Sequence, residues 1–176
     1  MRSTGSRLIV LTGGPGTGKT TVLTLLADAG FPVMPESARA ILRAHHGTPS
    51  PEEFALLMLR RDRMQHRLAS RSRSTVFFDR GLGDILGHLR LHGRPVPHEL
   101  RHAARTLRYD HVVVAAPWPE IYTADTERTQ TFDEAVESSR AVTSAYEELG
   151  YRPCALPHAD VATRARFLLR WEGEND

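Results

Sequence analysis

Leu8-Ile9-Val10-Leu11-Thr12, followed at once by Gly13-Gly14-Pro15-Gly16-Thr17-Gly18-Lys19-Thr20-Thr21, decides the fold. The first five residues are an apolar run that ends in glycines, which reads as a buried parallel strand. Residues 18–29 then carry Val22, Leu25, Leu26 and Ala29 at helical spacing. Between strand and helix, residues 13–20 fit G-x-x-x-x-G-K-[ST] in the context that motif requires. Glycines let the backbone wrap so that successive N–H groups face phosphate oxygens, and the following helix adds the positive end of its dipole. On this reading Gly14, Pro15, Gly16, Thr17, Gly18, Lys19, Thr20 and Thr21 hold the phosphates of ATP. Lys19 reaches the β- and γ-phosphates, and Thr20 binds Mg2+.

Composition isolates the same position. Of the 23 basic residues, 22 are arginine and the single lysine is Lys19. A compact ammonium on a flexible stem reaches places that a planar guanidinium cannot occupy. The rest is ordinary for a globular chain of 176 residues, with 40% hydrophobic and 25% charged residues. No stretch approaches the roughly 20 apolar residues of a membrane span. The polar residues 1–7 are not a secretory signal, and the lone Cys154 suits a reducing compartment, so a cytoplasmic protein is expected. A net charge of +2 gives nucleic-acid binding no support. Arg60, Arg63, Arg67 and Arg71 fall on one helix face without interleaved aromatics, which reads as a solvated stripe. The nine histidines lack metal-ligand spacing with cysteine, so no zinc is expected.

Outward from the loop, strands and helices alternate. Residues 31–35, 75–78, 111–116 and 152–156 read as further strands; residues 36–45, 54–71, 82–91, 97–107, 132–149 and 161–171 read as helices, with Pro49-Ser50-Pro51-Glu52 as a helix start. This alternation implies one domain over residues 1–176, built on a five-stranded parallel sheet with helices on both faces, the α/β three-layer arrangement. Ligands in such sheets sit at the carboxyl ends of the strands, where each motif of this chain lies.

Two nucleotide-hydrolysing classes are disfavoured. An Asn-Lys-x-Asp guanine-reading segment is impossible with one lysine, and Asp79-Arg80 stands where motor-type and AAA+ ATPases carry a glutamate after the magnesium aspartate. Four segments together carry a resemblance: residues 8–21, Val33-Met34-Pro35-Glu36-Ser37-Ala38-Arg39, Phe77-Phe78-Asp79-Arg80-Gly81 with Asp84, and Pro117-Trp118-Pro119-Glu120-Ile121-Tyr122 with Asp125 and Arg128. They resemble the small stand-alone AAA-domain family of P-loop proteins. That family is similar to nicotinamide riboside kinase domains and, more distantly, to deoxynucleoside kinases. The resemblance runs over residues 7–169 and implies a P-loop NTPase fold of nucleoside- and nucleotide-kinase type.

It also implies roles. Val-Met-Pro-Glu36 resembles the Val-Pro-Glu segment of deoxynucleoside kinases, in which the glutamate takes the acceptor hydroxyl's proton; Glu36 is then the base, or else a helix N-terminal carboxylate. Asp79-Arg80 is similar to their Glu-Arg-Ser segment with a shorter acid, so Asp79 holds a magnesium water and Arg80 orients the acceptor or a phosphate. Gly81 departs from that serine. Asp84 either contacts a polar substrate group or faces solvent, and Arg39, one turn after Glu36, has similar standing. Residues 117–131 form a polar lid, in which Arg128 meets the transferring phosphoryl group and Asp125 holds Arg128 in register, or the two are an exposed pair. Trp118 and Tyr122 stack on a flat substrate or pack against the sheet edge. The expected activity is Mg2+-dependent transfer of phosphate from ATP to a hydroxyl of a nucleoside-like or other small metabolite. The alternative is a nucleotide-binding regulatory ATPase that acts through a protein or lipid partner.

Overall fold

The structure is a computed structural model and describes residues 7–44, 47, 49–121 and 131–171. Five strands, β1 (Leu8–Thr12), β2 (Val33–Met34), β3 (Val76–Asp79), β4 (His111–Val114) and β5 (Cys154–Ala155), form one sheet in the order β2-β3-β1-β4-β5. Every pairing is parallel. Seven helices connect and cover them among the described residues: α1 (Lys19–Asp28), α2 (Ser37–Ala44), α3 (Pro51–Ala69), α4 (Leu82–Leu91), α5 (His98–Thr106), α6 (Phe132–Glu148) and α7 (Val161–Leu169). None of these helices is long and apolar enough to cross a membrane. The expected α/β architecture is therefore the observed one.

Side-chain alternation along β1 sorts the layers. Ile9 and Leu11 pack with Val22, Leu26 and Leu168 against α1 and α7. Leu8 and Val10 point the other way and join Phe78, Val112, Val142 and Tyr146. A third apolar cluster lies among α3, α4 and α5, where Leu59, Leu82, Leu86 and Leu100 are almost wholly buried. Thr12, the last residue of β1, falls on the Leu8 and Val10 side, which aims its hydroxyl at α4.

Three strands are shorter than the apolar pattern predicts, and β4 keeps only His111–Val114 of residues 111–116. β2 keeps only Val33–Met34 of residues 31–35, because Pro32 and Pro35 have no N–H for a ladder. Phe31 is drawn instead into the core, edge-on to Phe77 at 5.8 Å between ring centroids. β5 keeps only Cys154–Ala155 of residues 152–156, since Pro153 likewise cannot donate. The start of α3 follows the expected signals: Ser50 Oγ accepts from Glu53 N at 3.2 Å and Pro51 takes the first helical position.

The contact between α4 and α6 depends on glycines. A Cβ on Gly83 would lie 2.6 Å from the Tyr146 ring, and one on Gly87 would lie 2.7 Å from Val142 Cα. Both are far inside van der Waals contact, so the helices approach at these points only because no side chain intervenes. Gly83→Ala should therefore lower stability by roughly 1–3 kcal/mol, although alanine ordinarily favours a helix over glycine. A urea melt checks this, and an unchanged or raised midpoint would mean that the two helices are not in this register.

Candidate active site

The loop between β1 and α1 needs left-handed backbone at several positions, which is where glycine is required. Gly16 and Gly18 have φ of 72° and 74°, and a Cβ on Gly13 would lie only 2.1 Å from the Ala115 carbonyl oxygen at the end of β4. Lys19 opens α1 and is 7% exposed. Its Nζ donates to Gly14 O at 2.6 Å and Gly13 O at 3.0 Å. Burial pulls the Lys19 ammonium down to a pKa of about 7, with a further push from the Arg80 charge. A cation held this way is stabilised by anionic oxygen atoms brought beside it.

β3 runs beside β1 with Leu11 opposite Asp79, so the chain beyond β3 emerges next to the loop. Arg80 follows with φ of 70°, the one non-glycine residue with positive φ among the described residues. Such a conformation is unfavourable for a side-chain-bearing residue and needs support from its surroundings. Three bonds supply it. Arg80 N donates to Leu11 O at 3.1 Å, its Nε donates to Glu36 Oε1 at 3.1 Å, and its Nη1 donates to Asp84 Oδ1 at 3.1 Å. Burial opposes the Arg80 charge, but Asp84 and Glu36 more than offset it and hold the pKa above its ordinary value.

Asp84 is buried and does not face solvent, which corrects that one of the two readings of it from the sequence. Its Oδ1 accepts from Thr12 Oγ1 at 2.5 Å as well as from Arg80; its Oδ2 accepts from Gly81 N at 2.9 Å and Tyr146 Oη at 2.8 Å. Burial, followed by the Asp84 charge, raises the Tyr146 pKa well above its usual value, so the phenol stays a donor. Gly81 also has a local reason: a Cβ there would come within 2.9 Å of both the Tyr109 and Tyr146 hydroxyl oxygens. A serine in its place would have to displace one of two buried tyrosines.

Glu36 lies two residues beyond β2, directly before α2, and is one-fifth exposed; besides Arg80 it faces Arg39, whose Nε is 3.7 Å from Oε2 and whose side chain is mostly exposed. Two cavities meet here. One of about 840 Å3 follows the loop from Pro15 to Thr21 toward Trp118 and Arg164. The other, of about 250 Å3, lies between α2, α3 and α4. Pro15, Glu36, Asp79 and Arg80 line both.

Against known proteins, the family model described as "AAA domain" matches residues 8–164. The chain belongs to the AAA-domain family. No curated protein sequence matches this AAA domain. Among solved structures, NadR protein in complex with NR is similar at 20% identity with a TM-score of 0.67, over 98% of this chain and 53% of that one. Deoxyadenosine kinase from M. mycoides is similar at 12% identity and 0.62, over 92% and 96% of the two chains. Thymidylate kinase from Ehrlichia chaffeensis is similar at 15% identity and 0.64, over 94% and 98%. At such identities these likenesses establish the fold, which is that of P-loop nucleoside and nucleotide kinases.

Within this AAA domain the residues expected to hold Mg2+ fit the ion. Thr20 Oγ1 and the Asp79 carboxylate, hard oxygen donors of the kind that ion takes, have no hydrogen-bond or ion-pair partner among the described residues, and both line the larger cavity. Burial raises the Asp79 pKa, with the Lys19 charge working against it; a cation in reach would stabilise the carboxylate. Tyr122, Asp125 and Arg128 lie outside the described residues, as does most of the expected lid. Trp118 is stacked face to face on His158, at 4.8 Å between centroids, and lines the larger cavity.

Besides Asp62, which lines the smaller cavity, three side chains escaped the sequence reading. Thr12 and Tyr146 matter only through Asp84, and nothing local marks them. Arg164 is the third: it is 3% exposed, its Nη2 donates to Thr17 O at 2.7 Å, and its Nε is buried without a partner among the described residues. Burial lowers its pKa. Only its placement at a helical core position of α7 hinted that it was not a surface arginine. Arg164→Ala frees the Thr17 carbonyl and removes a buried cation beside the loop, so ATP binding should weaken about tenfold or more. Titration with a fluorescent ATP analogue checks this, and parental affinity would make Arg164 a packing residue only.

Proposed function

We propose that this chain is a kinase, which transfers the γ-phosphoryl group of ATP to a hydroxyl of a nucleoside-like or other small metabolite. One observation carries the reading: a second cavity opens from the phosphate-loop cavity at Glu36, Asp79 and Arg80. A protein that only hydrolyses nucleotide needs a water there; a kinase needs a chamber for an acceptor. Arg80 also stands directly after Asp79, in the place where hydrolytic machines carry their water-activating glutamate.

The roles follow from position. Residues 13–21 cradle the phosphates, with Lys19 on the β- and γ-oxygens. Mg2+, bound through Thr20 and Asp79, would neutralise charge on the phosphates. Arg80, tied to Glu36 and Asp84, presents a fixed cation at the phosphoryl centre. The acceptor oxygen forms its bond to the γ-phosphorus as the bond to the β-γ bridging oxygen breaks; ADP leaves, and the acceptor's proton passes to Glu36. Arg39, exposed and beside Glu36, meets the acceptor at its open side. Residues 117–131 act as the lid of a single 1–176 domain, and Arg128 stabilises the charge that spreads over the transferred group.

ATP turnover with and without nucleosides, nucleotides and aminoglycoside-like alcohols tests this reading. Strong stimulation by an acceptor supports it, and slow turnover indifferent to every acceptor selects the regulatory ATPase. Lys19→Ala should abolish productive ATP binding and leave the fold intact. Glu36→Gln should lower single-turnover transfer by roughly 10²–10⁴ while ATP still binds. A mild Glu36→Gln beside a severe Asp79→Asn would move the base to Asp79. Arg128→Ala should slow transfer by roughly 10² or more with little change in ATP affinity; a few-fold loss would remove that arginine from the chemistry.

A further inference from the structure

The smaller cavity has an uneven lining. Glu36, Asp79 and Arg80 form its mouth, and Leu42, Phe54, Met58 and Ile85 make its far side apolar. One acid interrupts that apolar side. Asp62, on α3, is 8% exposed. Ser37 Oγ donates to its Oδ1, whereas Oδ2 receives no protein donor among the described residues, and the carboxylate has no ion-pair partner there. That Oδ2 oxygen is not among the sealed, partnerless polar atoms, and Asp62 lines the cavity, so Oδ2 can accept a hydrogen bond from an occupant.

The charges exclude one kind of occupant. Glu36, Asp62, Asp79 and Asp84 all line this cavity, against the single guanidinium of Arg80, which is already bonded to Glu36 and Asp84. His88 supplies no second cation near neutral pH, because burial and then His92 lower its pKa. Arg39, paired with Glu36, lines the larger cavity only, so inside the smaller one a phosphate carried in by the acceptor would meet carboxylates and, among the described lining residues, no cation that is not already paired; such like charges disfavour it. The volume, about 250 Å3, is at the small end for ligand sites.

We infer, resting on the kinase reading, that the acceptor enters without a phosphate group and gives Asp62 Oδ2 a hydrogen bond from a hydroxyl, an amino group or a cationic centre, while its nucleophilic hydroxyl lies at Glu36. Asp62 is thus a specificity residue, remote from the reacting atoms. Burial lifts its pKa to about 7 against the Ser37 bond.

The experiment compares adenosine, guanosine, cytidine, uridine and nicotinamide riboside with their 5′-monophosphates, by calorimetric binding and by transfer from ATP. Parent protein and Asp62→Asn are both measured, and a thermal melt verifies folding. At least one unphosphorylated probe should bind and be phosphorylated, and its monophosphate should bind at least tenfold more weakly. Asp62→Asn should raise the KM of that acceptor about 10- to 100-fold, with kcat and the KM of ATP within a few-fold of the parent. Monophosphates bound or turned over better than their nucleosides would overturn the inference and leave the kinase reading intact. So would a folded Asp62→Asn with parental acceptor KM, or binding of no probe. Nucleoside binding that is lost in Asp62→Asn, without transfer, would sustain the cavity assignment and sink the kinase reading. If Asp62→Asn does not fold, the preference of the parent protein between nucleoside and monophosphate decides alone.

Discussion

The carboxylate of Asp84, buried at the start of α4, is the constraint on which the rest depends. Four donors from four places converge on its two oxygens: Thr12 at the end of β1, Arg80 after β3, the Gly81 backbone, and Tyr146 from α6. Removing one partner from such a group leaves a buried charge unsatisfied, which is more damaging than the loss of one average hydrogen bond. Through these bonds the carboxylate ties the central strand, its neighbour and the α6 helix to a common point. It also holds Arg80 in a backbone conformation that an arginine would not adopt unaided.

From that point the site is assembled outward. Arg80 is held on one side by Asp84 and on the other holds Glu36, so a deeply buried acid positions a partly exposed one across the mouth of the smaller cavity. Gly81 and Gly83 make this possible by leaving room for Tyr109 and Tyr146. The phosphate loop is braced from the opposite side by α7, whose Arg164 grips the Thr17 carbonyl. Stability and the proposed chemistry therefore share residues at this edge of the sheet, and substitutions there should rarely affect only one of them.

Much of this was legible in the sequence because the signals are local. The run from Leu8 to Thr20 declares strand, loop and helix through apolar pattern and glycine spacing, and the combination of Glu36, Asp79 and Arg80 resembles a known arrangement of kinase residues. What the sequence concealed depends on distance. Asp84 lies 72 residues from Thr12 and 62 from Tyr146, so no local pattern could distinguish a hub carboxylate from a helix-surface one. Asp62 and Arg164 sit in helices with charged neighbours, and their burial is set by which face the tertiary packing turns inward. Gly81 looked like a defect in a motif until the two tyrosine hydroxyls beside it supplied a steric reason. Strand ends were overcalled where prolines interrupt the apolar pattern, since hydrophobicity does not record a missing N–H.

The claim that one buried carboxylate joins fold to site can be measured without any substrate. Asp84→Asn, Arg80→Gln and the double variant form a mutant cycle, and urea denaturation of the four proteins yields their coupling free energy. The account predicts coupling of about 1–3 kcal/mol, since the two side chains share a partly buried, charge-assisted hydrogen bond that either change removes. Additive effects, within about 0.5 kcal/mol, would contradict it and reduce Asp84 to an ordinary helix cap.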